Sequence, residues 1–225
     1  MSVEQLEALK NRLAVLGHRD TRLIAVSKTH PASKITELIR AGHRDFGENR
    51  VNEARDKFPQ IDLTGIPPGS SPIYHHIGPL QSGAARQVAG LFGYAHGASS
   101  RSAIEALARA CRARLEKDSQ FAGMRYLIQV DLTGEESKLG GMAREVLLAE
   151  PPHSSEALKF VGLMTMGPSD GDPGRTRLAF QELRRIRDTS FPGAELSMGM
   201  SGDFEIALEE GSTMIRVGSL IFGSR

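Results

Sequence analysis

Eight short runs rich in apolar and β-branched residues recur along this chain, and the segments between them read as helices or turns. They are RLIAVSK (22–28), HRDFGEN (43–49), IYHHIGPL (73–80), LFGYAHGA (91–98), MRYLIQVDL (124–132), KFVGLMTM (159–166), AELSMGM (194–200) and TMIRVGSLIFG (213–223). Between them apolar residues return at i, i+3 and i+4, the spacing of one helix face. ASKITELIRAG aligns Ile35, Leu38 and Ile39 and stops at Gly42; SRSAIEALARACRARLEK carries Ile104, Leu107, Ala108, Cys111 and Leu115; TRLAFQELRRIRD carries Leu178, Leu183 and Ile186. Strands that alternate with helices pair in parallel through right-handed crossovers. Eight such units in 225 residues point to a (β/α)8 barrel of the TIM type, near the lower end of its size range.

The N-terminal MSVEQLEALKNRLAVLG adds a helix before the first strand. No shift in composition marks a boundary, so residues 1–225 read as a single domain, with FPQIDLTGIPPGSSP (58–72) and GPSDGDPG (167–174) as loops within it. The second and fourth runs carry the least apolar signal, being polar or glycine-rich. An open doubly wound sheet is the alternative. It usually shows a glycine-rich turn after its first strand, and VSKTHPAS has no glycine.

Charge and cysteine content narrow the function. With 28 basic and 27 acidic residues the formal charge is +1, which gives no electrostatic reason to expect a nucleic acid or an anionic membrane as partner. The lone Cys111 rules out an internal disulfide and a cysteine metal cluster, and no metal site is expected. No apolar run approaches the ~20 residues of a membrane span, and the N-terminus does not read as a signal peptide. The expectation is a cytoplasmic protein, and a monomer, since no strongly apolar exposed face stands out.

Lys28 is the residue that asks for a chemical explanation. It follows an apolar run (Leu23 to Val26) at the tip of the first strand, and in barrels of this type the chemistry sits at the C-terminal strand ends. An amine desolvated by apolar neighbours is more readily neutral, and a neutral amine captures aldehydes and ketones as a Schiff base. A lysine can also simply extend its charge to the rim. Lys138, in GEESKLGG, is the rival, placed in a charged, glycine-rich loop.

Two features near the C-terminus fit with Lys28. The loops after strands seven and eight of such barrels often bind phosphate. Here Ser201 reads as the N-cap of a helix running to about Glu210 and stopped by Gly211, and Gly218 and Ser219 follow the arginine of the eighth run. Arg216 interrupts an apolar strand, where an arginine is rarely buried without a partner. Alternation places Arg216 and Gly218 on one face, the barrel interior on this reading.

An amine that traps aldehydes, a phosphate cradle and an interior arginine together describe a site for pyridoxal 5'-phosphate. The stretches AVSKTHPAS, FGENRVNEA, HHIGPLQS, LIQVDLTGEESKLGG, GLMTMGP and LSMGMSGDFEIALEEGSTMIRVGSLIFGSR resemble, in order, the pyridoxal phosphate homeostasis protein family. The resemblance runs from about residue 23 to Arg225, and the last block is the most specific. It implies the fold-type III pyridoxal phosphate barrel of the alanine racemase N-terminal domain. It also implies a role in intracellular vitamin B6 balance without established catalysis, with pyridoxal phosphate-dependent apo-enzymes as possible recipients of the cofactor.

By that resemblance Lys28 carries the cofactor as a Schiff base, Ser201, Gly218 and Ser219 hold its phosphate, and Arg216 faces the pyridine nitrogen. Asn49 lines the same cavity, and His75 matches the family's histidine. A guanidinium cannot take the ring proton as a carboxylate would, so the ring is a weaker electron sink. The chain differs from the family's usual pattern at Ser219, often threonine; at His76, usually aromatic; and at Gly83-Ala84, usually Asn-Lys, where Arg86 offers a replacement charge.

Three functions follow. The first is a cofactor-holding and delivery protein with no catalytic residue. The second is an amino-acid racemase-like enzyme, which needs an acid or base on each face of the substrate carbon. The third is a Schiff-base aldolase acting on a phosphorylated sugar without a cofactor.

Overall fold

A computed structural model of the chain describes residues 2–67, 69–135 and 141–223. Its eight strands are β1 (Arg22–Val26), β2 (Asp45–Glu48), β3 (Ile73–Pro79), β4 (Tyr94–Ala98), β5 (Met124–Gln129), β6 (Leu158–Met164), β7 (Glu195–Ser197) and β8 (Met214–Val217). They pair in parallel in sequence order and close on themselves, with Ile24 of β1 opposite Arg216 of β8. The expected (β/α)8 barrel is therefore present, helix α1 (Ser2–Val15) before it. The remaining helices are α2 (Ala32–Arg40), α3 (Val51–Lys57), α4 (Ala85–Leu91), α5 (Arg101–Leu115), α6 (Arg144–Ala149), α7 (Pro173–Ser190), α8 (Phe204–Glu209) and α9 (Ser219–Phe222). None of the described helices is long and apolar enough to cross a membrane.

The near-continuous apolar run of β1 follows from burial on both faces. Leu23 and Ala25 turn outward into a cluster with Leu9, Ile35 and Leu38 of α1 and α2. Ile24 turns inward to meet Leu127, Met164 and Met214 inside the barrel. The weaker apolar signal of β2 and β4 has a steric origin. A Cβ on Gly47 would lie 3.1 Å from Ile24 Cγ2, and one on Gly97 would lie 2.1 Å from the Gly78 carbonyl oxygen. Glycine is what the close approach of interior groups and neighbouring strands requires at these two positions.

Several sequence boundaries are corrected. Leu91 ends α4 rather than starting a strand, and the run 213–223 is a four-residue strand followed at once by α9. Leu178 is 66% exposed; α7 buries Thr176, Ala179, Phe180, Leu183 and Ile186 instead. That helix starts at Pro173, after Asp172, whose side chain accepts from the Arg175 N–H at 2.7 Å. Cys111 lies buried on its helical stripe, as expected of a core residue.

Candidate functional site at the C-terminal mouth

The first strand stops at Val26, two residues before Lys28. Ser27 still joins the ladder, its N–H donating to the Gly47 carbonyl at 3.0 Å, and Lys28 opens a turn. The turn is strained: Thr29 has φ +68°, the only positive φ at a non-glycine among the described residues, and a β-branched residue disfavours it. A buried ion cluster holds it in place. Lys57 Nζ donates to the Ser27 carbonyl at 2.9 Å and to Glu48 Oε1 and Glu53 Oε1, each at 2.8 Å. The Ser27 hydroxyl donates to Glu48 Oε1 at 2.8 Å, and the Thr29 N–H donates to Glu53. Lys28 is thus bracketed by two residues tied to one cluster, and its own ammonium is engaged by no hydrogen bond or ion pair among the described residues. Burial raises the Glu48 carboxyl against the opposing pull of Lys57 and Ser27.

Lys28 opens onto a cavity of about 410 Å³ at the C-terminal ends of the strands, a size typical of small-molecule sites. Six of the seven residues singled out in the sequence line it together: Lys28, Asn49, Ser201, Arg216, Gly218 and Ser219. Ser201 is not the helix cap. It sits in the turn before α8, which starts at Phe204, and its Oγ accepts from the Gly218 N–H at 3.3 Å. The hydroxyl thereby joins the loops that follow β7 and β8, bringing Gly202 and Ser219 into one polar corner.

Arg216 is 5% exposed and turned into the barrel. Its Nη1 donates to the Ser197 carbonyl at 2.8 Å and to the Ser197 hydroxyl at 2.6 Å, and Nη2 donates to the Thr165 carbonyl at 3.1 Å. Among the described residues no carboxylate touches the guanidinium. Burial lowers it to about 10, with Asp203 acting weakly in the other direction.

His75 does not line the cavity. It lies inside the barrel on the cavity's far side from solvent, fully buried, hydrogen-bonded to Asp45 and His96 and stacked on Tyr94 with ring centroids 4.6 Å apart. The neighbouring His76 faces the helices, edge-on to Phe92. Arg86 is exposed on α4 and is not among the lining residues. Lys138 lies outside the described residues.

Sequence reasoning missed several cavity residues. His30, stacked on Phe222 at 4.7 Å, is two positions from Lys28 in the same SKTHP stretch. Gln129, Met166 and Met200 follow or end their strands, so their placement beyond the apolar runs was the available signal. Chemically the cavity combines an amine, a buried guanidinium and a corner of hydroxyls and backbone around two glycines. That set suits a flat, ring-sized ligand carrying a carbonyl and an anionic group.

Comparison with known proteins agrees with this description. The family described as alanine racemase, N-terminal domain, matches residues 4–225. A pyridoxal phosphate homeostasis protein of Escherichia coli K12 is 37% identical over 215 residues, covering 90% of this chain and 85% of its own. Another, from Synechocystis, is 37% identical over 211 residues, covering 91% of each. The structure of PipY from Synechococcus elongatus with PLP bound superposes with a TM-score of 0.81 at 33% identity, covering 99% of this chain and 100% of PipY. An alanine racemase of Clostridium difficile shares the fold alone, with a TM-score of 0.71 at 12% identity over 98% of this chain and 56% of the racemase.

Proposed function

The chain belongs to the family of pyridoxal phosphate homeostasis proteins, built on the alanine racemase N-terminal domain, and from that premise we propose that it holds pyridoxal 5'-phosphate covalently on Lys28 as an intracellular reservoir and donor. The observation that carries this reading is a lysine just beyond a strand end and a buried arginine in one cavity, with the polar corner of Ser201 and Gly218 beside them. When bound, the cofactor supplies an aldehyde that an amine captures reversibly. The Lys28 amine is the group that would capture it.

Ser201, Gly202, Gly218 and Ser219 would hold the phosphate with neutral donors, which suits release as well as capture. Arg216 would offer the ring nitrogen donors only. It gives no proton acceptor there, so the residues present do not build the strong electron sink that carbanion chemistry needs. Asn49 completes the wall. The three tyrosines add no second acid or base: Tyr74 stacks on Phe58, Tyr94 stacks on His75, and the Tyr126 hydroxyl donates to the His153 carbonyl.

Pyridoxal phosphate-dependent apo-enzymes are the partners we propose for delivery, with the protein acting as a monomer in the cytoplasm. The test is transfer. Protein loaded with pyridoxal phosphate and freed of excess should restore the activity of an apo-enzyme, and should neither racemise nor transaminate L- and D-amino acids faster than free pyridoxal phosphate. Turnover of one amino acid well above that background, lost in Lys28→Ala, would overturn the reading in favour of a racemase-like enzyme.

A further inference from the structure

Four hydrogen bonds run through the barrel interior from the start of β2 to the cavity floor. Asp45 Oδ1 lies 2.9 Å from His75 Nε2, and His75 Nδ1 lies 2.9 Å from His96 Nε2. His96 Nδ1 lies 2.9 Å from the Ser197 hydroxyl, which Arg216 Nη1 meets at 2.6 Å. His75, His96 and Ser197 have no solvent exposure.

With both rings neutral, the carboxylate at the Asp45 end fixes every proton between the two ends. A guanidinium only donates, so the Ser197 oxygen accepts from Arg216, and a neutral His96 with its proton on Nε2 leaves Nδ1 to accept the Ser197 hydrogen. His96 then carries its proton on Nε2 and gives it to His75 Nδ1. His75 in turn carries its proton on Nε2 and gives it to Asp45. An ionised carboxylate only accepts, and that requirement sets the direction of the whole chain. A second proton on His75 would set its Nδ1–H against the His96 Nε2–H, and one on His96 would make the Ser197 oxygen an acceptor from both sides; either ends the one-way order. Among the described residues, the charged groups that face the two rings are Asp45 and Arg22 from one end and Arg216 from the other, with the Tyr94 ring alongside and the titratable His43 and His76 nearby. Burial lowers both imidazoles, in keeping with neutral rings. The relay also answers a problem at Arg216, a buried cation with no carboxylate in contact among the described residues: its dipoles all point from the guanidinium toward the Asp45 charge.

We propose that Asp45, His75, His96 and Ser197 are positioning residues that orient Arg216 at the cavity floor through a one-way hydrogen-bond relay spanning the barrel. None of the four lines the cavity. Their effect on a bound ligand passes through Arg216 and rests on the pyridoxal phosphate reading above.

The first test needs no cofactor. Nitrogen NMR of histidine-labelled, cofactor-free protein should show His75 and His96 each protonated at Nε2 alone and not titrating across the neutral range. Protonation of either ring at Nδ1 would overturn the relay. The second test uses Asp45→Asn, at the barrel end remote from the cavity, and Ser197→Ala, beside Arg216. Both should move the midpoint of the pH titration of the bound cofactor's visible absorbance. Both should also raise its dissociation constant roughly fivefold, the size expected when a hydrogen bond to a charged group is weakened.

Glu195→Gln is the comparison. It removes a charge at the same barrel end, on a residue outside the relay, and should leave midpoint and affinity near wild type. Equal shifts in Asp45→Asn and Glu195→Gln, or none in Asp45→Asn and Ser197→Ala, would overturn the proposal. A wild-type protein that takes up no pyridoxal phosphate would instead overturn the functional reading, and the histidine spectra would still decide the relay.

Discussion

Lys57 Nζ donates to the carbonyl oxygen of Ser27 at 2.9 Å, so a buried cation from α3 holds the backbone one residue before Lys28. The same ammonium neutralises Glu48 and reaches Glu53, which accepts from the Thr29 N–H one residue after Lys28. Replacing Lys57 with Met leaves the fully buried Glu48 without its cation. Loss of one partner of a buried pair should cost about 3–5 kcal/mol in urea unfolding. Glu48→Gln in the same chain should recover part of that loss. A single mutant of wild-type stability would show that the cluster is not what holds the strained turn.

Two glycine-to-alanine changes should act with opposite sign. The methyl of Gly97→Ala would meet the Gly78 carbonyl oxygen at 2.1 Å, and the contact is backbone, which cannot step aside. A loss of about 3 kcal/mol or more is expected. Gly90, inside α4, has open space where a Cβ would go, so Gly90→Ala should gain up to about 1 kcal/mol from helix propensity. Denaturant midpoints at constant m-value read both.

Acid should weaken the fold through its buried histidines. Burial lowers His43 and His76 to about 4, from an ordinary value of 6.5. A group with a depressed folded-state pKa binds its proton later in the folded than in the unfolded chain. Its stabilising contribution is therefore complete above pH 6.5 and is lost as pH falls toward 4. Each of the two should account for roughly 3 kcal/mol over that window. His76 Nδ1 has no hydrogen-bond partner among the described residues, so His76→Phe should shallow the acid limb without sacrificing a hydrogen bond. An unchanged slope would mean that His76 titrates normally in the folded protein.

Arg216→Ala should weaken retention of pyridoxal phosphate and move its spectral titration, since it removes a donor beside the ring and opens a void. The polar corner at Ser201 and Gly218 should keep residual binding, seen as a higher dissociation constant rather than none. Equilibrium dialysis with wild-type affinity, together with an unshifted titration, would place Arg216 outside the site.

The barrel was legible because parallel strands buried on both faces leave continuous apolar runs, as Leu23 to Val26 do, while helices leave spaced ones. Strand ends were less so. LIFG of the eighth run is apolar because α9 tucks Ile221 into the core, and pattern alone does not separate that from a longer strand. In the cavity, Lys28 and Arg216 stood out as charges in apolar company. His75 misled because a histidine in a barrel strand reads the same whether it faces a ligand or, as here, a half-buried carboxylate at the other end. The relay depends on residues up to 101 positions apart, His96 and Ser197, and only the closed barrel brings them together.

The most direct test is the site of covalent attachment. The protein is incubated with pyridoxal 5'-phosphate, reduced with borohydride and digested, and its peptides are mapped by mass. The expected result is a single pyridoxyl group on Lys28, with Lys28→Ala taking up none at equal concentration. A pyridoxyl group on Lys138 or another lysine, with Lys28 unmodified, would contradict the assignment of the cavity as the cofactor site.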